Sequence, residues 1–147
     1  MDRGTGDPPR TPPTSAHGRG DVLVVEDEVV PRSVMETVLT HSGYGVTAVG
    51  NVEAALAAVA EHPYGAIVCD IRMPGKDGVD FYRALEGQHP HLAERVVFVT
   101  AVESAPGVSE FLQQTGRPVL RKPYAIRALV DAVAQLVRRP PSPGAMI

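Results

Sequence analysis

The sequence predicts an α/β fold with a doubly wound, five-stranded parallel sheet. Two observations support this class. Five short apolar runs show almost no alternation of polar and apolar residues, which is typical of strands that helices cover on both faces. Segments with helical spacing of apolar residues separate these runs. Because strand–helix–strand crossovers are right-handed, this order places the strands side by side and parallel.

The predicted strands are short and rich in β-branched residues. They are Val22–Val25, Val46–Val49, Ala66–Cys69, Val96–Val99 and Pro118–Leu120. Each is bounded by polar residues, Gly or Pro, and none is long enough to resemble a core helix. This supports five separate strands rather than buried helical segments.

Helices are predicted between and after the strands from the 3.6-residue spacing of apolar side chains. In the first helix the apolar side contains Val34, Met35, Val38 and Leu39. Asn51 has a side chain suited to the N-cap of the second helix. The predicted helices are Val30–His41, Val52–Glu61, Val79–Glu86, a weaker Val108–Gln114, and Ala125–Arg138.

Both ends of the chain differ from this central region. Residues 1–20 contain four Pro and four Gly, and residues 140–147 have the same Pro-rich character. Such segments bury too little apolar surface to offset the entropy of ordering them. We therefore expect a single domain at residues 21–139, with disordered tails on either side.

Composition argues against several classes of function. The net charge is −3 and the basic residues form no stripe, so nucleic-acid binding is not indicated. No apolar run approaches the roughly 18 residues of a membrane span, and no signal peptide is recognisable. The only cysteine, Cys69, cannot form an internal disulfide, which suits a reducing compartment. We expect a cytoplasmic protein that binds neither nucleic acid nor membranes.

Carboxylates, a hydroxyl and an ammonium group follow the predicted strands. The carboxyl ends of parallel strands meet at one edge of the sheet, so these groups should converge. Clustered carboxylates repel one another, and a hard divalent cation such as Mg²⁺ is the natural counter-charge. Together with this cation, the ammonium group can neutralise the negative charge on a phosphoryl group during transfer. One of the carboxylates can act as the nucleophile. The residues are Glu26, Asp27 and Glu28 after the first strand, Asp70 after the third, Thr100 and Ala101 after the fourth, and Lys122 after the fifth.

Four segments in this order resemble the signature segments of response-regulator receiver domains. They are VLVVEDE at 22–28, IVCDIRMPGKDG at 67–78, FVTA at 98–101 and LRKP at 120–123. The resemblance extends over residues 21 to 139. It implies the flavodoxin-like strand order 2-1-3-4-5, as in the chemotaxis-type receiver.

The resemblance also implies a metal and phosphate site. Asp70 resembles the family's phosphoacceptor and one ligand of Mg²⁺ or Mn²⁺. Asp27 resembles the direct carboxylate ligand, and Glu26 its acidic neighbour, which acts partly through water. The backbone carbonyl of Arg72 resembles the remaining protein ligand.

Other matched positions correspond to the family's switch and loop residues. Thr100, followed by Ala101, resembles the hydroxyl that turns toward a phosphoryl oxygen, and Lys122 resembles the lysine that contacts phosphate. The Lys122-Pro123 bond resembles the family's cis peptide. Residues expected to shape the loops are Pro74, Gly78 and Pro123.

Two departures from the family pattern are visible. Glu26 stands where Asp is common, which is a mild change because Glu also occurs there. Val119 occupies the position of the aromatic switch residue, so a coupling between Thr100 and a ring at this position cannot operate. Pro106 and Gly107 suggest that the helix after Thr100 is short, and Arg72 and Val102 flank the site.

We therefore expect a phosphoacceptor receiver that is not a turnover enzyme on an external substrate. Its expected partners are a sensor histidine kinase or phosphotransfer domain and an unidentified downstream protein, and it is expected to be a monomer or weak homodimer. An alternative is a receiver-like binding or dimerisation module that does not use phosphate. An Asp-nucleophile phosphatase is disfavoured because Arg72 stands where its second Asp would be, and a flavodoxin-type site lacks its phosphate loop.

No output domain is recognisable after Arg139. The segment TGRPVLRKPY at 115–124 resembles receivers attached to hybrid sensor kinases, whereas an opening Met1 favours a stand-alone receiver. We expect the stand-alone form, with a receiver from a hybrid kinase as the alternative.

Overall fold

The structure is a computed structural model that describes residues 19–101 and 107–138. The strands are β1 (Asp21–Val25), β2 (Gly45–Val49), β3 (Ala66–Asp70), β4 (Val96–Ala101) and β5 (Val119–Lys122). The helices are α1 (Val29–His41), α2 (Val52–Glu61), α3 (Gly78–Gln88), α4 (Pro90–Ala93), α5 (Val108–Thr115) and α6 (Ile126–Arg138). The predicted elements are all found, and the short α4 is an addition. Val102, Pro106, residues 1–18 of the predicted N-terminal tail and the whole predicted C-terminal tail lie outside the described residues.

The sheet is parallel throughout, with the order β2-β1-β3-β4-β5. This confirms the predicted fold class. β1 lies between β2 and β3, so the direction in which strands are added reverses at β1. In such sheets ligands bind in the crevice beyond the carboxyl ends of the strands at the reversal point. Val25 of β1 pairs with Cys69 of β3 there, which places Glu26 beside Asp70.

Apolar side chains fill both faces of the sheet, which accounts for the lack of alternation in the strands. Along β1, Leu23 and Val25 belong to one apolar cluster, whereas Val22 and Val24 belong to the other. The first cluster packs beneath α2, α3, α4 and α5. The second packs beneath α1 and α6. The sheet is thus covered by helices on both faces, as is typical of parallel sheets.

The buried side of α1 is narrower than predicted. Met35 and Leu39 are buried, and Val38 is partly buried against the same cluster. Val34, in contrast, is 44% exposed. Val34, which was predicted to lie on the same side of the helix as these residues, is therefore not part of the core that Met35 and Leu39 form against the sheet.

Side-chain caps begin two of the helices. The Ala54 N–H donates to Asn51 Oδ1 at 2.7 Å, which confirms Asn51 as the N-cap of α2. At the start of α3, the Asp80 N–H donates to Asp77 Oδ1 and the Asp77 N–H donates to Asp80 Oδ2. These bonds satisfy donors that a helix start leaves unpaired. Among the described residues, no helix combines the length and apolar character needed to cross a membrane.

Candidate functional site

A pocket opens at the carboxyl edge of the sheet, where the strand ends converge. Its walls come from the last residues of β3, β4 and β5 and from the segments that follow β1 and β3. Residues that were far apart in the sequence therefore share one small space. The lining residues are Asp27, Glu28, Asp70, Arg72, Ala101 and Lys122.

Three carboxylates meet at the base of this pocket. One oxygen from each of Glu26, Asp27 and Asp70 lies within 4.8 Å of the others. Glu26 is 0% exposed and Asp70 is 5% exposed. The Glu28 N–H donates to Glu26 Oε2 at 3.1 Å, but Glu26 Oε1 has no hydrogen-bond partner among the described residues. A buried carboxylate oxygen without a partner is costly unless a cation or a proton satisfies it.

The raised pKa of Glu26 agrees with this cost. Burial raises the pKa of Glu26 to about 7, and the neighbouring Asp70 carboxylate adds to the increase. The Glu28 N–H and the Lys122 ammonium oppose it without cancelling it. Like charges and low solvation both disfavour the ionised form. Protonation of Glu26, or a bound cation, would therefore relieve the repulsion within this cluster.

Lys122 provides the fixed positive charge of the site. Its Nζ lies 3.2 Å from Asp70 Oδ2 and 3.7 Å from Glu26 Oε1. Partial burial lowers the pKa of Lys122, but Asp70, Glu26 and Glu28 together raise it above its ordinary value. Lys122 is therefore a stable ammonium ion facing the carboxylates.

The β3–α3 connection presents Asp70 to the pocket. The Arg72 N–H donates to Asp70 Oδ1 at 3.1 Å. Gly78 lies against the same backbone, because a Cβ at this position would be 2.7 Å from the Asp70 carbonyl oxygen and 2.8 Å from Ile71 Cα. Only a residue without a side chain allows this approach. Pro74 lies between these residues in the same connection.

The end of β4 places Thr100 and Ala101 beside this group. Ala101 pairs with Lys122 in the sheet register and lines the pocket. Thr100 is fully buried one residue earlier, and its hydroxyl lies 3.4 Å from the Ala101 carbonyl oxygen. The Lys122-Pro123 peptide bond that follows is cis, as the resemblance implies. Val119 is partly buried against the apolar cluster on the α3–α5 side of the sheet.

Arg32 also supports this site, although no sequence pattern pointed to it. The Arg32 Nη1 donates to the carbonyl oxygen of Glu26 at 3.0 Å and to that of Asp27 at 3.2 Å. A basic residue one turn into the helix that follows the acidic segment was the available signal. This signal did not identify the partner of Arg32, because every residue has a main-chain carbonyl group and the sequence does not show which one an arginine binds.

The fold and the pocket define a small doubly wound α/β domain with an acidic site at the point where strand order reverses. The family model of the response regulator receiver domain matches residues 22–134. The chain therefore belongs to the response-regulator receiver family, whose members are signalling modules of two-component systems.

Individual relatives agree with this assignment. The chain is 33% identical over 114 residues to response regulator protein FleR of Pseudomonas aeruginosa, covering 78% of this chain and 24% of FleR. It is 32% identical over 117 residues to sensory/regulatory protein RpfC of Xanthomonas campestris, covering 78% of this chain and 16% of RpfC. The chain thus spans about a quarter or less of these two relatives.

The fold also resembles solved structures of response regulators. A putative response regulator from Chloroflexus aurantiacus superposes with a TM-score of 0.71 at 26% identity, over 82% of this chain and 98% of that one. The match covers nearly the whole of that protein, so the similarity extends to the complete receiver fold.

Proposed function

We propose that this receiver accepts a phosphoryl group on Asp70 from a phosphohistidine of a sensor kinase or phosphotransfer domain. The observation that carries the proposal is the position of the Asp70 carboxylate. Its Oδ2 lies 3.2 Å from the Lys122 Nζ, and the Asp70 carboxylate clusters with those of Glu26 and Asp27. The proposed receiver unit comprises residues 21–139.

The donor set suits Mg²⁺ or Mn²⁺. Hard divalent ions prefer carboxylate and carbonyl oxygens. Three carboxylates are present, and one buried oxygen, Glu26 Oε1, has no hydrogen-bond partner among the described residues. Asp27, Asp70 and the backbone carbonyl of Arg72 would hold the ion, with Glu26 acting through water. When bound, the ion offsets negative charge on the phosphoryl oxygens.

The chain's own groups position the reaction. An oxygen of the Asp70 carboxylate attacks phosphorus, forming a P–O bond as the P–N bond to the donor imidazole breaks and the electron pair leaves on nitrogen. Lys122 neutralises charge near the entering group. The Arg72 N–H orients the carboxylate through Oδ1. Ala101 has a small side chain that leaves room for phosphoryl oxygens. Pro74, Gly78 and Pro123 shape the loops around it.

The phosphorylated state changes a surface that a downstream protein binds. The added charge and acceptor oxygens draw the Thr100 hydroxyl toward the phosphoryl group. Because Val119 has no ring, this movement is not relayed through an aromatic side chain on β5. Hydrolysis of the aspartyl phosphate restores the starting state.

Phosphorylation of the intact chain by acetyl phosphate with Mg²⁺, followed by intact-mass spectrometry, tests the proposal. We expect the wild type to gain one phosphoryl group, Asp70→Asn to gain none, and the exposed control Asp131→Asn to match the wild type. Labelling should also stop when EDTA removes the metal. Undiminished labelling of Asp70→Asn would reject Asp70 as the acceptor.

A module that does not use phosphate is the remaining alternative. A Mg²⁺ titration followed by backbone NMR separates the two. We expect shifts of amide signals after β1 and β3, around Asp27 and Arg72. A receiver-like binding module would show no such shifts.

A further inference from the structure

Arg32 connects α1 to the segment that carries the acidic residues. It is half-buried, and one of its terminal nitrogens, Nη1, donates to two successive carbonyl oxygens, those of Glu26 and Asp27. The Glu26 N–H on the other side of the same residue donates to the Val49 carbonyl oxygen at 3.0 Å. The backbone of Glu26 is therefore held from both β2 and α1.

These contacts matter because the chain leaves the sheet at this point. Past the end of β1, carbonyl oxygens lose their partners in the ladder and need other donors. A charged donor gives stronger and shorter hydrogen bonds than a neutral one. Because the guanidinium binds main-chain oxygens of Glu26 and Asp27, it fixes their backbone without occupying the side-chain oxygens that face the pocket.

Gly50 leaves the space that the guanidinium needs. A Cβ at Gly50 would lie 2.8 Å from Arg32 Nη1 and 3.7 Å from its Cζ. The same Cβ would be 3.9 Å from the Glu26 carbonyl oxygen, which is ordinary contact. A side chain here would thus displace the guanidinium rather than the backbone, since the end of an arginine side chain is flexible.

We propose that Arg32 is a positioning residue that holds the Glu26–Asp27 backbone in the geometry for divalent-metal binding, and that Gly50 provides its slot. This inference rests on the proposed Mg²⁺ site. Arg32 itself is not among the residues that line the pocket. It acts through the backbone, as residues that support metal ligands from outside the coordination shell commonly do.

The first measurement uses the metal-free protein. Amide hydrogen exchange of residues 26–28 should be faster in Arg32→Ala and in Gly50→Ala than in the wild type, while exchange in β3 and β4 stays unchanged. Arg138→Ala, an exposed arginine at the far end of α6, should behave as the wild type. Unchanged exchange at residues 26–28 in both variants would overturn the proposal.

The second measurement is Mg²⁺ affinity, from an NMR titration of the same proteins. Loss of a group that supports metal ligands from outside the coordination shell typically weakens metal binding by about 10-fold or more, and we expect that for Arg32→Ala. Arg32→Lys should recover part of the loss, because it keeps a cationic donor. At saturating Mg²⁺, acetyl phosphate labelling of Asp70 should approach the wild-type extent. Wild-type Mg²⁺ affinity in Arg32→Ala would refute the role.

A double-mutant cycle separates positioning from a general loss of stability. If Gly50 acts only through Arg32, then Gly50→Ala weakens Mg²⁺ binding in the wild type but has no further effect in Arg32→Ala. If the effects of Gly50→Ala and Arg32→Ala on Mg²⁺ affinity were additive, Gly50 would not act through Arg32. If the wild type binds no Mg²⁺, the proposed function fails, whereas the exchange measurement still decides whether Arg32 orders the segment. If Arg32→Ala does not fold, Arg32→Lys and Gly50→Ala provide the same comparison.

Discussion

The Nζ atom of Lys122 lies 3.2 Å from Oδ2 of Asp70, although 52 residues separate them in the chain. The contact crosses from the end of β5 to the end of β3, over the intervening β4. Asp70 is the residue proposed to accept the phosphoryl group. Among the residues that line the pocket, Lys122 is the one whose cationic side chain donates a hydrogen bond to the Asp70 carboxylate. The charge balance of the site therefore depends on this pair.

Removal of the Lys122 charge should weaken the metal-free fold. Lys122→Ala leaves Asp70 and Glu26, both buried, without their nearest cation. A hydrogen bond to a charged group contributes roughly 1.5–3 kcal/mol, and the partial exposure of Lys122 favours the lower end of that range. We expect the free energy of unfolding to fall by about 1.5–2 kcal/mol in urea denaturation with EDTA, and acetyl phosphate labelling to slow.

Lys76→Ala is the matched control for this variant. Lys76 is an exposed lysine whose Nζ lies 3.9 Å from an exposed carboxylate, Glu53. Exposed pairs contribute little, so its unfolding and labelling should resemble those of the wild type. Equal effects of the two substitutions would mean that the Lys122 contacts do not balance the pocket charge.

Glu26 should make the stability of the metal-free protein depend on pH. Its pKa is raised from 4.5 to about 7, so the folded protein binds more protons than the unfolded chain between these values. Stability then falls as pH rises through that window, because stability increases with pH only where the unfolded state binds more protons. Urea denaturation with EDTA at several pH values between 4.5 and 8 should show this decline.

Glu26→Gln should remove the decline, because the amide cannot ionise. Glu53→Gln, at an exposed carboxylate, should retain it. Mg²⁺ affinity of the wild type should rise over the same pH window, since the ion and the proton compete for one carboxylate cluster. Parallel pH curves for the wild type and Glu26→Gln would show that another group dominates.

Much of this arrangement could be predicted because a parallel sheet imposes it. Apolar runs that alternate with helices place every strand end at one edge, so the convergence of Asp27, Asp70 and Lys122 followed from their positions after strands. The rotation of a helix does not follow so directly. Met35 and Val34 are neighbours on α1, yet Met35 is buried against the sheet and Val34 is exposed.

Contacts between side chains and the backbone also could not be predicted from the sequence. The carbonyl oxygens that Arg32 binds exist at every residue, so nothing in the sequence distinguishes those of Glu26 and Asp27. The close approach of Gly78 to Asp70 is a similar case. A glycine in a loop was expected to shape that loop, but the need for an absent Cβ appears only once the two backbone segments are placed.

Gly78→Ala should be strongly unfavourable. The new Cβ would meet the backbone of Asp70 at 2.7 Å and that of Ile71 at 2.8 Å, and neither atom belongs to a flexible side chain. Such overpacking typically costs about 1–3 kcal/mol. The strain falls on Asp70 itself, so labelling by acetyl phosphate should slow as well. Thermal unfolding and intact-mass spectrometry measure both effects.

Gly87→Ala offers an opposite control in the same helix. A Cβ at Gly87 meets nothing within 4 Å among the described residues, and Ala is favoured over Gly inside a helix by about 0.5–1 kcal/mol. We expect this variant to be as stable as the wild type or slightly more stable, with normal labelling. If Gly78→Ala were as stable and as readily labelled as Gly87→Ala, the Asp70 backbone could move without loss of stability or of labelling.

The opposite end of β1 holds a buried pair that should influence stability but not phosphorylation. His62 Nε2 lies 2.6 Å from Asp21 Oδ2, and both side chains are largely buried. The other oxygen, Asp21 Oδ1, has no hydrogen-bond partner among the described residues. Removal of the imidazole would leave this carboxylate with still fewer partners. Because an unsatisfied buried polar group costs about 1–3 kcal/mol, His62→Ala should lower the free energy of unfolding by that amount.

A double-mutant cycle with Asp21→Asn tests whether the pair is the cause. The effect of His62→Ala should shrink when Asp21 is already replaced, since contacting partners are not additive. His41→Ala, at an exposed histidine at the end of α1, should leave stability near that of the wild type. Since the full length of β1 separates Asp21 from the pocket, His62→Ala should be labelled to the wild-type extent under conditions where both are folded. Slower labelling of folded His62→Ala would instead mean that the two ends of β1 are coupled.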